Sequence, residues 1–223
     1  MSLRKMFFPI AMVFFVLLVS CTEDTEEEFD HVAQYEIERD SLLGYLSSHY
    51  YDDVTDRFED ITSENENTVT ALSLDSRLDS ITHTLEDIDV EYTMYVFHIN
   101  EGGGDTVADD NDLVWVQYTV LNLENEGFDE VTFQEDSADV DLSESIVGWQ
   151  LGIPTFKPAS EVDETSDPTS PRSFINPGEG FLMIPSGLAY QNIGTTAIGE
   201  NEILMFRLAL GYVQKIEDVE EEE

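Results

Sequence analysis

Basic residues are scarce in this sequence. Nine lysines and arginines stand against 49 aspartates and glutamates among 223 residues, which gives a formal charge of −40 at pH 7. Proteins that bind nucleic acid neutralise phosphates with clustered Lys and Arg side chains, so this composition excludes nucleic acid as a partner. It also excludes adhesion to an anionic bilayer by charge alone.

The chain has a single cysteine, Cys21, which excludes an intramolecular disulfide. Cys21 follows two basic residues near the start and an apolar run from Met6 to Val19. Such a run is typical of a secretory signal peptide and is too short for a stable membrane span. The sequence "LVSC" that ends at Cys21 resembles a bacterial lipobox, in which the cysteine is lipidated and becomes the mature N-terminus. Residues 1–20 are therefore predicted to be a lipoprotein signal peptide; a plain signal peptide beside a chance cysteine is the alternative.

Patterns that bind metals or phosphates are also missing. The one glycine-rich stretch, "EGGGD" at 101–105, lacks the Lys-Ser/Thr continuation of a phosphate-binding loop. The four histidines are scattered without the spacing of metal ligands: His31, His49, His83 and His98. We therefore predict no metal site and no cofactor.

Acidic residues dominate both ends of the predicted mature chain. Residues 21–29 and 217–223 have almost no apolar side chain to bury, so they are predicted to be a solvated tether and a solvated tail.

The segment 30–89 is predicted to be helical. From His31 to Tyr50, apolar residues recur at the spacing of one helix face, namely Tyr35, Leu42, Tyr45 and Leu46. This amphipathic helix needs a partner surface and is a candidate for docking or homodimerisation. The polar residues 51–70 predict a loop, and "LDSRLDSITHTLEDI" at 74–88 predicts a second short helix.

From Val90 the pattern changes to strands. "VEYTMYVFHI" alternates loosely, and "DLVWVQYTVLNL" alternates cleanly, with Val114, Val116, Tyr118 and Val120 on one face. "SESIVGWQLGI" predicts a short helix, and "FLMIP" and "EILMFRLALGYV" predict the closing strands. Residues 157–178, rich in Pro, Ser, Thr and acids, predict an exposed loop. The fold class is therefore predicted to be α+β.

Four of these segments stand in the order found in one known family. "VWVQYTVLNLENEGFD", "IVGWQLGI", "FLMIPSGLAY" and "NEILMFRLAL" resemble the motifs of the FKBP-type peptidyl-prolyl isomerase domain. The upstream "RDSLLGYLSSH" is similar to the helix before this domain in lipid-anchored bacterial members. The resemblance covers a little over half the chain and implies an FKBP-like domain over 90–216, an antiparallel curved sheet wrapped around a short helix.

The resemblance also implies a site. Six residues would line an apolar pocket with Trp149 as its floor: Tyr118, Phe128, Ile146, Trp149, Tyr190 and Phe206. Asp129 matches the family's aspartate beside that pocket. The backbone N–H of Ile146 and the hydroxyl of Tyr190 match the family's hydrogen-bond donors to the substrate carbonyl.

Several positions depart from the family's pattern. Gln191 stands where the family has glycine after the tyrosine, so the loop is expected to follow another path. Ile198-Gly199-Glu200-Asn201 replaces a proline-rich approach to the last strand, and the stretch from Trp149 to Pro185 is longer than the family's.

The departures leave two functions open. The first is a lipid-anchored prolyl isomerase that acts on proline-containing polypeptides folding in the bacterial cell envelope. The second is a non-catalytic FKBP-like binding or chaperone module. An acidic structural lipoprotein is a third alternative, which the order of the motifs disfavours.

The lipobox predicts that Cys21 attaches the protein to a membrane. Replacement of the thiol by a hydroxyl in Cys21→Ser should release the protein into the soluble fraction, because no other cysteine could carry the lipid. Membrane fractionation and the mass of the mature N-terminus measure this. A mutant that still sediments with membranes, together with a wild type without lipid mass, would contradict it.

Overall fold

The predicted amphipathic helix comes first along the chain among the elements of the structure. The computed structural model describes residues 29–124, 127–131, 139–163 and 173–216. Helix α1 spans His31–Ser48, and the Asp30 side chain caps it by accepting a hydrogen bond from Ala33 N at 2.9 Å. Its buried face carries three of the four predicted apolar residues together with Glu38. The helix is thus confirmed, two residues shorter than expected.

The predicted loop 51–70 begins within a hairpin. Strands β1 (His49–Asp52) and β2 (Arg57–Asp60) pair antiparallel, with Tyr51 opposite Phe58. Both of these aromatic side chains are buried, and Asp56 in the turn has a φ of 57°. The loop prediction is wrong here because two aromatic side chains give this short polar segment an apolar face to bury.

The prediction of a second helix within 74–88 is also wrong. Leu78–Leu85 forms strand β3, which pairs antiparallel with β4 (Val90–Glu101) along its whole length. Residues 81, 82 and 84 are β-branched, which favours an extended backbone, and pairing with β4 satisfies the backbone of the strand. Within 30–89, α1 is therefore the one α-helix in the structure, and β3 belongs to the main sheet.

The remaining strands, except β8 and β9, complete one antiparallel sheet. The strands after β4 are β5 (Leu113–Leu121), β6 (Gly127–Val131), β7 (Asp139–Asp141), β8 (Glu161–Asp163), β9 (Ser173–Ile175), β10 (Gly178–Ile184) and β11 (Leu204–Gln214). In the described residues the order of the main sheet is β3-β4-β10-β11-β5-β6, and β7 also pairs with β5. A short helix, α2 (Val147–Gly152), follows β7.

The sheet buries apolar side chains on both faces. On the inner face, α2 covers a core cluster to which β5 contributes Val114, Val116 and Val120. On the outer face, α1 and the β1–β2 hairpin cover a second core cluster. The predicted alternation of β5 is confirmed, and Tyr118 packs against the inner cluster as expected.

Helix α2 lies close to the sheet because glycine faces it. A Cβ atom on Gly148 would lie 2.5 Å from Ile184 Cγ2, and one on Gly152 would lie 2.7 Å from Leu182 Cδ2. These two glycines are four residues apart and therefore share one helix face. The close approach fixes the position of Trp149, the next residue after the first glycine.

Part of the predicted loop 157–178 is a second hairpin. Strands β8 and β9 pair antiparallel, with Val162 opposite Phe174. The Phe174 ring packs over Gly211 of β11, where an added Cβ would lie 2.1 Å from Cζ. The rest of the predicted loop, 164–172, lies outside the described residues, as do the predicted signal peptide with Cys21 and the acidic tail.

The FKBP-like α+β fold class is confirmed. One large antiparallel sheet packs against a short helix on one face and a longer N-terminal helix on the other. No helix in the described part of the chain is long and apolar enough to cross a membrane.

Two adjacent leucines of α1 test its packing. Leu42 is fully buried in the outer cluster, whereas its neighbour Leu43 is 47% exposed. We expect Leu42→Ala to lower the free energy of unfolding by about 2–5 kcal/mol through lost burial and a cavity. Leu43→Ala should change it by about 0.5 kcal/mol or less. Urea unfolding of both variants measures the difference, and equal effects would contradict the packing of α1 on the sheet.

Candidate functional site

Three of the predicted site residues form one aromatic cluster. Tyr118 of β5, Trp149 of α2 and Phe206 of β11 contact one another through their rings. The Trp149 ring meets Tyr118 at 4.9 Å and 90°, and Phe206 at 5.3 Å and 77°, while Tyr118 and Phe206 lie 5.9 Å apart. Edge-to-face contacts of this kind fix the rings relative to one another.

Strand register places two of these rings side by side. Strands β5 and β11 are neighbours, with Tyr118 opposite Leu208 and Val120 opposite Phe206. Side chains two residues apart in a strand share a face, so all four point to the inner face of the sheet. There they meet α2, which supplies Trp149.

Trp149 is buried, as is Phe206, whereas Tyr118 is partly exposed. Trp149 is 5% exposed, and its indole Nε1 has no hydrogen-bond partner among the described residues. Buried polar groups are nearly always paired, so an unpartnered N–H in an aromatic cluster is an unusual feature. It marks the environment of Trp149 as strongly apolar.

Ile146 lies at the start of α2 and packs against the inner cluster. Its carbonyl accepts hydrogen bonds from Trp149 N at 2.9 Å and Gln150 N at 3.2 Å. Its own backbone N–H donates to no group among the described residues. The role of this N–H as a donor to a ligand, which the resemblance implies, stays a prediction.

Tyr190 directly follows Leu188 and Ala189, which pack against the inner cluster. It follows a 3-10 turn, Ser186–Leu188, in which Leu188 is fully buried in the inner cluster. Tyr190 itself is 36% exposed, and none of the hydrogen bonds among the described residues involves its hydroxyl. Its predicted role as a hydrogen-bond donor at the rim of the site stays a prediction.

Gln191 adopts the backbone conformation that glycine favours. Its φ is 52°, and its N–H donates to the carbonyl of Ser186 at 2.8 Å. Its own carbonyl accepts from Asn201 N at 2.8 Å. Two hydrogen bonds therefore hold a left-handed turn despite the side chain. Glutamine thus adopts the conformation that glycine favours, and the expectation that the loop follows another path than the family's stays a prediction.

The packing of Ile198 against the inner cluster was not predicted from the sequence. Ala189, which directly precedes the tyrosine, packs against the same cluster. Ile198 N donates to Thr195 Oγ1 at 2.9 Å, which orders the loop that carries it. An isolated aliphatic residue among Gly, Thr and Glu was the available signal, since such a residue in an exposed loop would have nothing to bury.

The last two predicted residues, Phe128 and Asp129, lie in β6. Asp129 pairs with Val120 of β5, and the register shifts between Val120 and Leu121. The strand therefore runs beside the one that carries Tyr118. The side chains of both residues lie outside the described part of the structure, so their predicted roles stay predictions.

The described residues offer apolar rather than ionic chemistry at this site. No three His, Cys, Asp or Glu side chains are grouped closely enough in the described ranges to hold a metal ion. What the site presents is a wall of aromatic rings, one backbone donor and one hydroxyl. Such an arrangement can desolvate an apolar group and accept a carbonyl beside it.

An antiparallel sheet, with α2 across its inner face and the aromatic cluster between them, matches an FKBP-like α+β fold. No protein-family model matches the sequence, and no curated protein matches it either. Among solved structures, the chain is similar to a peptidyl-prolyl cis-trans isomerase from Pseudomonas syringae pv. tomato, with 16% identity and a TM-score of 0.49 over 84% of this chain and 98% of that one. It is also similar to FkpA from Escherichia coli, with 22% identity and a TM-score of 0.44 over 60% of this chain. That match spans 51% of FkpA.

The loop conformation makes a stability prediction. Because Gln191 has a φ of 52°, Gln191→Gly should relieve backbone strain and raise the free energy of unfolding by about 0.5–1 kcal/mol. Gly194 is the matched control, since its φ is 64° and an added Cβ would lie 2.7 Å from the Ile198 carbonyl oxygen. Gly194→Ala should therefore lower the free energy of unfolding by about 1 kcal/mol or more.

Chemical denaturation of both variants measures these changes. If Gln191→Gly destabilises the protein while Gly194→Ala does not, the left-handed backbone conformation of these two residues is contradicted.

Proposed function

We propose that this chain is an FKBP-type peptidyl-prolyl cis-trans isomerase that assists protein folding in the bacterial cell envelope. The observation that supports it best is the cluster of Tyr118, Trp149 and Phe206, with the unpaired N–H of Ile146 at the start of the same helix as Trp149. The FKBP-like fold and the order of the motifs agree with this proposal.

The reaction requires no acid, base or metal. An X-Pro amide rotates slowly because resonance gives its C–N bond partial double-bond character, with a barrier of about 18–20 kcal/mol for peptide bonds. The planar amide is the more charge-separated form, so an apolar wall that excludes water disfavours it relative to the twisted form. In this mechanism the proline ring packs on Trp149, and the aromatic rings around it exclude water.

Hydrogen-bond donors at the rim would hold the twisted carbonyl. The Ile146 N–H and the Tyr190 hydroxyl are the two donors that the resemblance implies, and neither is engaged by another described group. Donors fixed before the substrate binds stabilise the transition state without further reorganisation. Rotation of the amide is thus favoured by two effects, desolvation and hydrogen bonding.

The cellular role follows from the predicted leader. Lipidation of Cys21 would anchor the domain in the cell envelope, where proline-containing polypeptides refold after export. The acidic tether 21–29 would separate the domain from the membrane surface. The substrates of this proposal are proline-containing segments of unfolded chains.

Activity is measured by exchange spectroscopy on a Leu-Pro or Phe-Pro peptide, with and without the purified protein. Tyr190→Phe removes one neutral hydrogen bond, so the rate should fall about tenfold or less. Trp149→Leu should lower it further because it opens the apolar wall to water. The rate should be nearly flat between about pH 6 and 8 and unchanged by EDTA, since no group in the mechanism exchanges a proton or binds a metal.

The chain supplies a matched control for each variant. Trp115 and Tyr212 form an aromatic pair at 4.9 Å on β5 and β11, away from the inner cluster. Trp115→Leu and Tyr212→Phe should leave the rate unchanged. A steep pH dependence or a loss of rate on chelation would contradict the mechanism. A folded protein that binds the peptide without accelerating its exchange would instead be the non-catalytic binding module.

A further inference from the structure

Glu38 is a buried carboxylate that the proposed mechanism does not use. It lies on the inward face of α1 and is 2% exposed. It accepts hydrogen bonds from Ser186 N at 2.8 Å, from Ser186 Oγ at 2.5 Å and from Gln34 Nε2 at 2.9 Å. None of the ion pairs in the described residues includes it. Buried carboxylates are rare without such partners, so these three hydrogen bonds are what stabilise it.

Ser186 holds the turn that precedes Tyr190 through hydrogen bonds of its backbone carbonyl. It opens the 3-10 turn before Tyr190, and its carbonyl accepts hydrogen bonds from Ala189 N at 2.9 Å and Gln191 N at 2.8 Å. Both chain neighbours of the tyrosine are therefore anchored on one residue. Gln191 in turn binds Asn201 N, which connects this turn to the far side of the loop.

Helix α1 also supports the same turn indirectly, through the ring of Tyr92 in β4. Gly187, the next residue of the turn, lies so close to Tyr92 that an added Cβ would be 2.2 Å from Cζ of its ring. Tyr35 of α1 packs edge-on against that ring at 4.7 Å and 61°. Burial raises the pKa of Tyr92 to about 12, and the neighbouring Glu38 carboxylate adds to the effect. The turn is thus enclosed by α1 and by a ring that α1 supports.

We propose that Glu38 is a positioning residue for the prolyl isomerase site, because it fixes Ser186 and thereby the orientation of Tyr190. This inference rests on the proposed function and deepens it. The carboxylate does not touch the substrate; it acts through the backbone of the turn. The N-terminal helix, which precedes the FKBP-like domain predicted over 90–216, is on this account part of the working site.

The chemistry of the contact predicts which substitution is tolerated. In Glu38→Gln, the remaining side-chain oxygen can accept from Ser186 N, while the new amide can donate to Ser186 Oγ, since a hydroxyl both donates and accepts. Gln34 can rotate its amide and present its own oxygen. Glu38→Ala removes every acceptor and leaves a buried N–H and a buried hydroxyl unpaired. The glutamine variant should therefore retain what the alanine variant loses.

Two measurements on the purified protein test the proposal: amide hydrogen exchange and the kcat/KM of X-Pro isomerisation. In Glu38→Ala, the amides of Gln191 and Asn201 should exchange about tenfold faster or more. Local opening of the turn should cost less free energy in this variant, because the hydrogen bonds between Ser186 and Glu38 no longer have to be broken. The value of kcat/KM should fall about three- to tenfold as the Tyr190 hydroxyl loses its fixed position. Glu38→Gln should stay within about twofold of the wild type in both measurements.

Leu42→Ala is the matched control on the same helix. Leu42 packs into the outer cluster, whereas Leu188 of the turn packs into the inner one, so this variant should destabilise the protein without selective exchange at Gln191 or loss of kcat/KM in the folded state. Ser186→Ala, which keeps the backbone hydrogen bond and removes the hydroxyl, should give a smaller effect of the same kind and serves if Glu38→Ala does not fold.

The proposal is overturned if the folded Glu38→Ala variant, or Ser186→Ala in its place, keeps wild-type exchange at Gln191 and Asn201. It is equally overturned if Leu42→Ala changes exchange and kcat/KM as much as Glu38→Ala does, because the role of Glu38 would then be general stability. If the wild-type protein does not accelerate isomerisation at all, the proposed function fails, while the exchange rates still decide whether Glu38 fixes the turn.

Discussion

Strand β10 is the constraint on which the rest of the structure depends. It lies between β4 and β11 in the sheet and is buried on both faces. Leu182 and Ile184 point into the inner cluster, while Phe181 and Met183 point into the outer one. A strand buried on both faces has to be continuously apolar, which is why the sequence reads "FLMI" without alternation. Helix α2 packs on one side of this strand, and its position fixes the aromatic site.

Two of the few basic residues, Arg77 and Arg207, form ion pairs with aspartates on this acidic surface. Arg77 pairs with Asp75 and Asp53, and the hydrogen bond from Arg77 lowers the pKa of Asp75. Arg207 pairs with Asp56 in the turn of the β1–β2 hairpin, so it joins that hairpin to β11. These pairs are partly exposed, and each contributes little by itself. Their effect is to place three of the many carboxylates beside a cation and to lower the repulsion around the outer cluster.

The fold class could be predicted from the sequence, and so could those elements whose apolar residues recur at a single clear spacing. The alternation of β5 and the stripe of α1 each agree with a single structure, and both are confirmed. Residues 74–88 were misread because Leu78, Ile81 and Leu85 fit a helical spacing as well as a strand, and pairing with β4 decided between the two. The contact of Glu38 with Ser186 joins residues far apart in the chain, so no local pattern could reveal it. Register explains why Tyr118 and Phe206 meet, but only the tertiary fold brings in Ile198.

The position of β11 determines when the domain can assemble. This strand comes last among the described elements along the chain, yet it lies in the middle of the sheet between β10 and β5. A chain that has not yet been synthesised through residue 214 has two separate sheet halves, β3-β4-β10 and β5-β6, with neither core closed. The pairings of β4 with β10 and of β5 with β11 join residues distant in sequence, which makes such a topology slow to fold. The nascent polypeptide therefore cannot close either core until β11 has been synthesised.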